Sequence, residues 1–197
     1  MSKVKILESL LFAGKGFIRT SDVVNAGVSK TYFGEFVRKN DLERIAHGLY
    51  AARDSWDDGM YVIQVRYPDA VFSHETALYL LNLSEREPDR YSVTVKSGTN
   101  STGLNRDGIK VYKVNGERFT EGIIEVLSSA GRYLRAYNPE RTICDLLRYR
   151  RHIEAQELQS AIKEYMRLRE KNIPLLMSYA KVFSVEKILR TYLEVLL

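Results

Sequence analysis

The sequence predicts an α+β protein in two parts, a small helical N-terminal domain that closes on a strand pair and a mixed α/β C-terminal domain that ends in helices. Three observations predict it. Two short helical segments flank Gly27 and run into a hairpin-like pair of apolar segments around His47-Gly48, strand-like alternation recurs between Tyr91 and Tyr137, and apolar residues fall at helical spacing from Glu154 onward. The domains are expected at residues 1–58 and 60–197, divided by the Asp- and Gly-rich segment Arg53 to Gly59. Trp56, the single tryptophan, lies in that segment, where it is expected to plug the two domains together.

The first element is a helix from Lys3 to Ala13, with Val4, Leu7, Leu10 and Leu11 on one face, closed by Gly14-Lys15-Gly16. Thr20, Ser21 and Asp22 offer a cap and a first-turn acid to a second helix, which ends at Gly27. Ser29 caps a third helix that runs to Asn40. Phe33, Phe36 and Val37 form its apolar stripe and leave Thr31, Gly34, Glu35 and Arg38 on the opposite face, flanked by Lys30, Tyr32 and Lys39. Leu42 to Ala46 and Leu49 to Ala52 then flank His47-Gly48, a pair suited to a type I′ turn.

Three helices followed by a hairpin form the pattern of a winged helix-turn-helix, whose second motif helix enters the major groove of DNA and whose wing suits phosphate or minor-groove contact. The residues expected to bind DNA are therefore Ser29, Lys30, Thr31, Tyr32, Arg38 and Lys39 on the helix, with Lys30, Thr31 and Tyr32 as base readers, and Arg44 and His47 on the wing beside Arg53. Glu35 either accepts from a cytosine amino group or repels phosphate, and the sequence does not choose. Helical pairs of this shape also serve protein contacts, so an interaction domain with incidental charge is the competing reading.

The totals bound these readings. A hydrophobic content of 45% fills the cores of one large or two small domains in 197 residues. No run reaches the eighteen or so apolar residues of a membrane span, and the N-terminal segment carries Glu8 and no cleavage-like site, so a cytoplasmic protein without a membrane role is expected. Cys144 is the only cysteine, which excludes an internal disulfide, and His47, His74 and His152 show no zinc spacing. The net charge of +5 favours an anionic partner. It concentrates in residues 1–53, with nine Lys or Arg against five Asp or Glu, and in residues 132–171, with ten against six.

In the C-terminal part, Ser73 opens a helix carrying Ala77, Leu80 and Leu81, and Tyr91 to Lys96 and Ile109 to Val114 read as strands. The polar loop between them has Gly98, Gly103 and Gly108 but lacks the Gly-Lys-Ser ending of a phosphate loop, so a plain loop is expected. Ile123 to Leu127 and Tyr133 to Tyr137 form a strand pair around Gly131. Asn138-Pro139-Glu140 then opens a helix in which Arg141 and Asp145 stand at i and i+4, placed for structural pairing. Leu158, Ala161, Ile162, Tyr165 and Met166 mark the next helix, Pro174 opens another, and Ser184 is expected to cap a last one, apolar to Leu197, that either frays or docks a partner.

Catalysis has little support. Cys144 with His74 as base lacks an oxyanion signature, and the pairs Asp57-Asp58 and Glu85-Glu87 lack the further ligands a metal nuclease needs. No catalytic residue, metal ligand or cofactor is expected.

Three segments carry a family resemblance: Leu42-Glu43-Arg44-Ile45-Ala46-His47-Gly48-Leu49-Tyr50, Phe72-Ser73-His74-Glu75-Thr76-Ala77-Leu78, and the run from Tyr137 through Asn138-Pro139-Glu140-Arg141-Thr142-Ile143-Cys144-Asp145 to Leu147. In that order, from about Lys3 to about Arg169, the chain resembles the AbiEi antitoxins of type IV toxin–antitoxin systems, which act in abortive phage infection. The resemblance implies a winged helix that represses its own operon by binding inverted repeats in the promoter. It also implies a C-terminal domain that counteracts a nucleotidyltransferase toxin, with no direct complex required. It marks Ser73, His74, Thr76, Arg141, Thr142 and Asp145 as antitoxin-domain motif residues, and His47 departs from the Arg of many relatives at the wing tip. The exposed-looking run Arg148, Arg150 and Arg151 is a candidate antitoxin surface beside them, with a solvated helix end as its alternative. An enzyme acting on nucleic acid and a pure protein-interaction module are the other function classes left open.

Overall fold

The computed structural model describes residues 2–55 and 58–196, without the side chains of Asp54, Val195 and Leu196; the expectations placed on Trp56, Asp57 and Leu197 lie outside these residues. The chain divides into two compact units, Met1–Pro68 and Asp69–Leu197.

The N-terminal unit holds α1 (Lys3–Ala13), β1 (Phe17–Arg19), α2 (Thr20–Asn25), α3 (Lys30–Lys39), β2 (Glu43–Ala46), β3 (Leu49–Ala51) and α4 (Gly59–Arg66). Leu7, Ile18, Val23, Val28, Phe33, Phe36 and Leu42 form its core, where the apolar faces of the three helices meet, whereas Val4 of the expected α1 stripe is exposed. The expected Thr20 cap is corrected: Thr20 is already helical, and Arg19 stands at the N-cap without a side-chain hydrogen bond. β1 was not foreseen. It pairs antiparallel with β3, which pairs with β2, giving a three-stranded sheet in the order β1-β3-β2.

The division falls beyond the expected Arg53 to Gly59 linker because α4 packs on this sheet. Tyr61, Val62 and Val65 cover Phe17, Leu49 and Ala51, which a two-stranded hairpin alone would leave wet. Asp58 starts α4 by accepting from the Tyr61 N–H at 2.9 Å.

The C-terminal unit is built on a five-stranded sheet of β4 (Val71–Phe72), β5 (Ser92–Lys96), β6 (Lys110–Val114), β7 (Ile123–Leu127) and β8 (Tyr133–Tyr137), in the order β6-β5-β4-β8-β7. β5 and β6 run parallel, β4 and β8 run parallel, and β7 and β8 form the antiparallel pair expected around Gly131. A parallel pair needs a crossover, which explains why the expected loop 97–108 carries α6 (Thr102–Arg106). The short α7 (Gly116–Thr120) follows β6.

α5 (His74–Leu80) packs on β5 and β8, and a helical cluster of α8 (Pro139–Arg148), α9 (Ala155–Arg167), α10 (Ile173–Val182) and α11 (Glu186–Leu196) builds out from it. α8 is the hub: it packs against α5, α9, α10 and α11, and every residue from Glu140 to Leu147 is buried. Its start is as read, with Asn138 accepting from the Arg141 N–H at 2.9 Å and Pro139 in the first turn. Ser184 is corrected. It takes φ +59 and closes α10, with the Val185 N–H reaching back to the Ala180 carbonyl, instead of capping the helix that follows.

Candidate nucleic-acid interface

The helix pair α2–α3 is fixed by backbone chemistry at both ends of its turn. Gly27, at φ +77, and Val28 return their N–H groups to the Val24 and Val23 carbonyls, which closes α2 and aims the chain at the next cap. The Ser29 hydroxyl accepts from the Tyr32 N–H at 3.3 Å and starts α3. At the far end Asp41 takes φ +51, and the Leu42 N–H bonds the Val37 carbonyl, turning the chain into β2. Anchored by Phe33 and Phe36, α3 presents Lys30, Thr31, Glu35, Arg38 and Lys39 to solvent. None of these five side chains has a hydrogen-bond or ion-pair partner among the described residues. Tyr32 differs from its neighbours: it is half-buried against the N-terminal core, and the Lys3 ammonium lies 5.6 Å from its ring centroid.

The wing is a tight hairpin of a different type from that expected. Only Gly48, at φ +72, enters the left-handed region, whereas a type I′ turn demands it of His47 as well. The register shifts between Arg44 and Ala46, so a bulge at Ile45 supplies the extra twist. The Gly48 carbonyl accepts from the Thr20 N–H at 2.8 Å, which ties the wing tip to the start of α2. Arg44 and His47 are exposed. Arg53 is committed elsewhere: its guanidinium pairs with Asp41 at 3.3 Å and Glu43 at 3.4 Å, joining the end of α3 to the base of the wing. The sequence carries no signal for this pairing, since its three members belong to three separate elements.

The six motif residues of the C-terminal unit are buried and fall into two groups. Arg141 is fully buried; its guanidinium donates to Asp145 at 3.0 Å and to the carbonyls of Arg118 at 2.6 Å and Glu121 at 3.1 Å. It sits between the rings of Tyr137 and Phe183, at 4.1 Å and 4.0 Å from their centroids. Burial pushes the Asp145 carboxyl up to about 6 against the pull of Arg141. The Thr142 hydroxyl turns back to the Tyr137 carbonyl at 3.4 Å. The i, i+4 spacing thus marks a structural pair, and it joins α8 to α7 and to the entry of β7.

Ser73, His74 and Thr76 form the second buried group. The Ser73 hydroxyl accepts from Thr94 at 2.9 Å and lies 3.0 Å from His74 Nδ1, while Thr76 accepts from the Ser92 N–H at 2.7 Å. His74 takes φ +51 and stacks on Tyr112 with centroids 3.5 Å apart. Burial, with the charges of Lys110, Arg141 and Arg148 adding to it, holds its imidazole well below the usual histidine range. The Lys110–Glu75 pair at 2.9 Å lies beside this group and was not singled out from the sequence. Its signal was Glu75 inside the Ser73-to-Thr76 motif. Cys144 is buried, with its Sγ 3.8 Å from the Leu176 carbonyl and its thiol pushed up to about 12 by burial, as in a core residue. Of the arginine run, Arg148 and Arg151 are exposed, whereas Arg150 donates to the Leu147 carbonyl at 3.1 Å.

Residues 6–53, spanning most of α1 through β3, match the family model described as "Transcriptional regulator, AbiEi antitoxin". The resemblance read from the sequence is therefore supported over residues 6–53. The fold is also similar to the crystal structure of the RV2827C protein from Mycobacterium tuberculosis, with a TM-score of 0.55 at 13% identity, over 89% of this chain and 71% of that one. No curated protein matches the sequence. Among the described residues, no helix is long and apolar enough to cross a membrane.

Proposed function

We propose, from an N-terminal region that matches AbiEi antitoxin transcriptional regulators, that this protein is the antitoxin of a type IV toxin–antitoxin system and represses its own operon. The observation that carries the proposal is the open face of α3, where Lys30, Thr31, Arg38 and Lys39 stand exposed and without a partner among the described residues, in the same unit as the exposed Arg44 and His47 of the hairpin. Free cations beside a helix of this placement suit the major groove and its phosphates, which attract through counterion release and position the helix for base contact. Lys30 and Thr31, in the first turn of α3, are the base readers. Tyr32 supports them from the core side. Two copies, or two such domains, match inverted half-sites upstream of the operon.

The C-terminal unit counteracts a nucleotidyltransferase toxin in the cytoplasm, without a stable complex and without catalysis or a cofactor of its own. Its buried motif residues, Ser73, His74, Thr76, Arg141, Thr142 and Asp145, support that role as scaffold, and the exposed Arg148 and Arg151 are its candidate contact surface.

Two measurements test the proposal. A gel-shift series compares duplex from upstream of the operon with random duplex, and growth rescue is scored in cells expressing a type IV nucleotidyltransferase toxin, sought first in the reading frame adjacent to this gene. Preference for the upstream duplex together with rescue is the expected result. Equal affinity for random duplex removes the repressor assignment, and failure of rescue removes the antitoxin assignment.

A further inference from the structure

Gly34 stands in the middle of α3, where glycine is among the least favourable residues for a helix. Nothing inside the protein asks for it. Its φ is outside the left-handed region, and a Cβ built on it meets no heavy atom within 4 Å. The glycines bordering β1 are different: a Cβ on Gly14 would lie 2.0 Å from the Phe17 carbonyl oxygen, and one on Gly16 would lie 2.5 Å from Ser55 Cβ. Those two are required by the fold. Gly34 is not, although the methyl group of a helix-favouring alanine there would meet no neighbour.

The neighbours of Gly34 on the helix surface are Lys30 and Thr31, one turn before it, and Arg38, one turn after it, all exposed and without a partner among the described residues. A glycine that fills no internal need, set among groups aimed outward, has its reason outside the chain, because missing side chains let a backbone approach a ligand closely. We propose that Gly34 is the point of closest approach between α3 and duplex DNA, and that it determines specificity by letting the helix sink far enough for Thr31 and Lys30 to reach base edges. This rests on the reading of α3 as the duplex-binding helix. The missing methyl group is traded against helix stability.

The trade gives the test its sign. In the full-length protein, Gly34→Ala raises the folded-to-unfolded ratio about five-fold in urea titration. The same variant lowers the affinity for duplex from upstream of the operon by about ten-fold in fluorescence anisotropy, and Gly34→Leu lowers it further, as expected of overpacking a close contact. Random duplex, held by phosphate contact alone, changes less. Gly116→Ala is the control, since a Cβ there is equally unobstructed and no duplex contact is assigned to it; its affinity equals that of the wild type. A Gly34→Ala protein that is more stable and binds the upstream duplex as tightly as wild type overturns the clearance role while leaving the duplex reading intact. A Gly34→Ala protein that is less stable overturns it too, by showing an internal need for the glycine. Wild-type protein without preference for the upstream duplex overturns this inference and the repressor assignment together.

Discussion

Replacing Arg141 by Met tests whether the buried motif residues of the C-terminal unit are scaffold. Methionine keeps much of the apolar stem between Tyr137 and Phe183, but it removes the hydrogen bonds to Asp145, Arg118 and Glu121 and strands a carboxylate that is nearly wholly buried. Breaking one partner of a buried pair costs about 3–5 kcal/mol. That is a large share of the roughly 5–15 kcal/mol that holds a domain folded. With a urea slope of about 2 kcal/mol/M, the midpoint of the C-terminal unit falls by about 2 M. The double variant Arg141→Met, Asp145→Leu removes both charges along with the Nη2 donor, which has no hydrogen-bond partner among the described residues. It regains about 2 kcal/mol or more, because the penalty lay in the unpaired ion and not in the loss of attraction. Urea unfolding followed by circular dichroism supplies the cycle, and growth rescue is scored on the same four proteins. Rescue lost in the single variant and restored in the double one identifies a structural pair. A single variant within about 1 kcal/mol of wild type refutes the reasoning, as does a double variant as unstable as the sum of its parts.

His74 gives the unit an acid limb: its folded value is depressed, so its contribution is present above the unfolded value near 6.5 and is lost as pH falls below it, at up to about 1.4 kcal/mol per pH unit. Asp145, raised to about 6, works with opposite sign, its contribution being lost as pH rises through that value, so the measurement is the difference between wild type and His74→Gln, in which Asp145 is common. That difference shrinks from pH 7.5 to pH 5 in urea titrations; a constant difference would remove His74 as the source. Gly122→Ala destabilises by about 1–3 kcal/mol, since the residue has φ +77 and the added Cβ would lie 2.9 Å from Arg141 Cβ; an unchanged thermal midpoint counts against the close packing of α8 on the β7 entry. Charge reversal at Arg148, Arg150 and Arg151 impairs growth rescue while circular dichroism stays native, and full rescue by that triple variant returns these arginines to the role of a solvated helix end.

The sequence announced α3 clearly because three independent signals coincide there: a Ser29 cap, a 3.6-residue apolar period, and turn chemistry at Gly27. The hub helix α8 was equally legible at its start, through Asn138 and Pro139. What escaped were elements defined by their partners. β1 is three residues long and exists because β3 lies beside it, and β4 is two residues long between β5 and β8. α4 blurs the domain boundary because its apolar residues serve a sheet face whose position follows from tertiary packing. At the candidate interface, exposure of Lys30, Thr31 and Arg38 followed from periodicity, whereas the engagement of Arg53 with Asp41 and Glu43 depends on how the helix end meets the wing. In the C-terminal unit the Arg141–Asp145 spacing gave the pairing, but its burial depends on α7 and the β7 entry, far away in sequence.

The central claim, that α3 reads base edges while the wing holds phosphate, is tested most directly by anisotropy titration of wild type, Thr31→Ala, Arg38→Ala and Arg44→Ala on a matched operator and a panel of single-base variants. Neutralising four to six phosphates gives the wild type a slope of log affinity on log salt of about −4 to −5. Thr31→Ala and Arg38→Ala are expected to narrow the gap between matched and mismatched duplexes by about 1–3 kcal/mol, whereas Arg44→Ala weakens every duplex alike and makes the salt slope shallower by about 1. Equal losses on matched and mismatched duplexes for all three substitutions would contradict the claim.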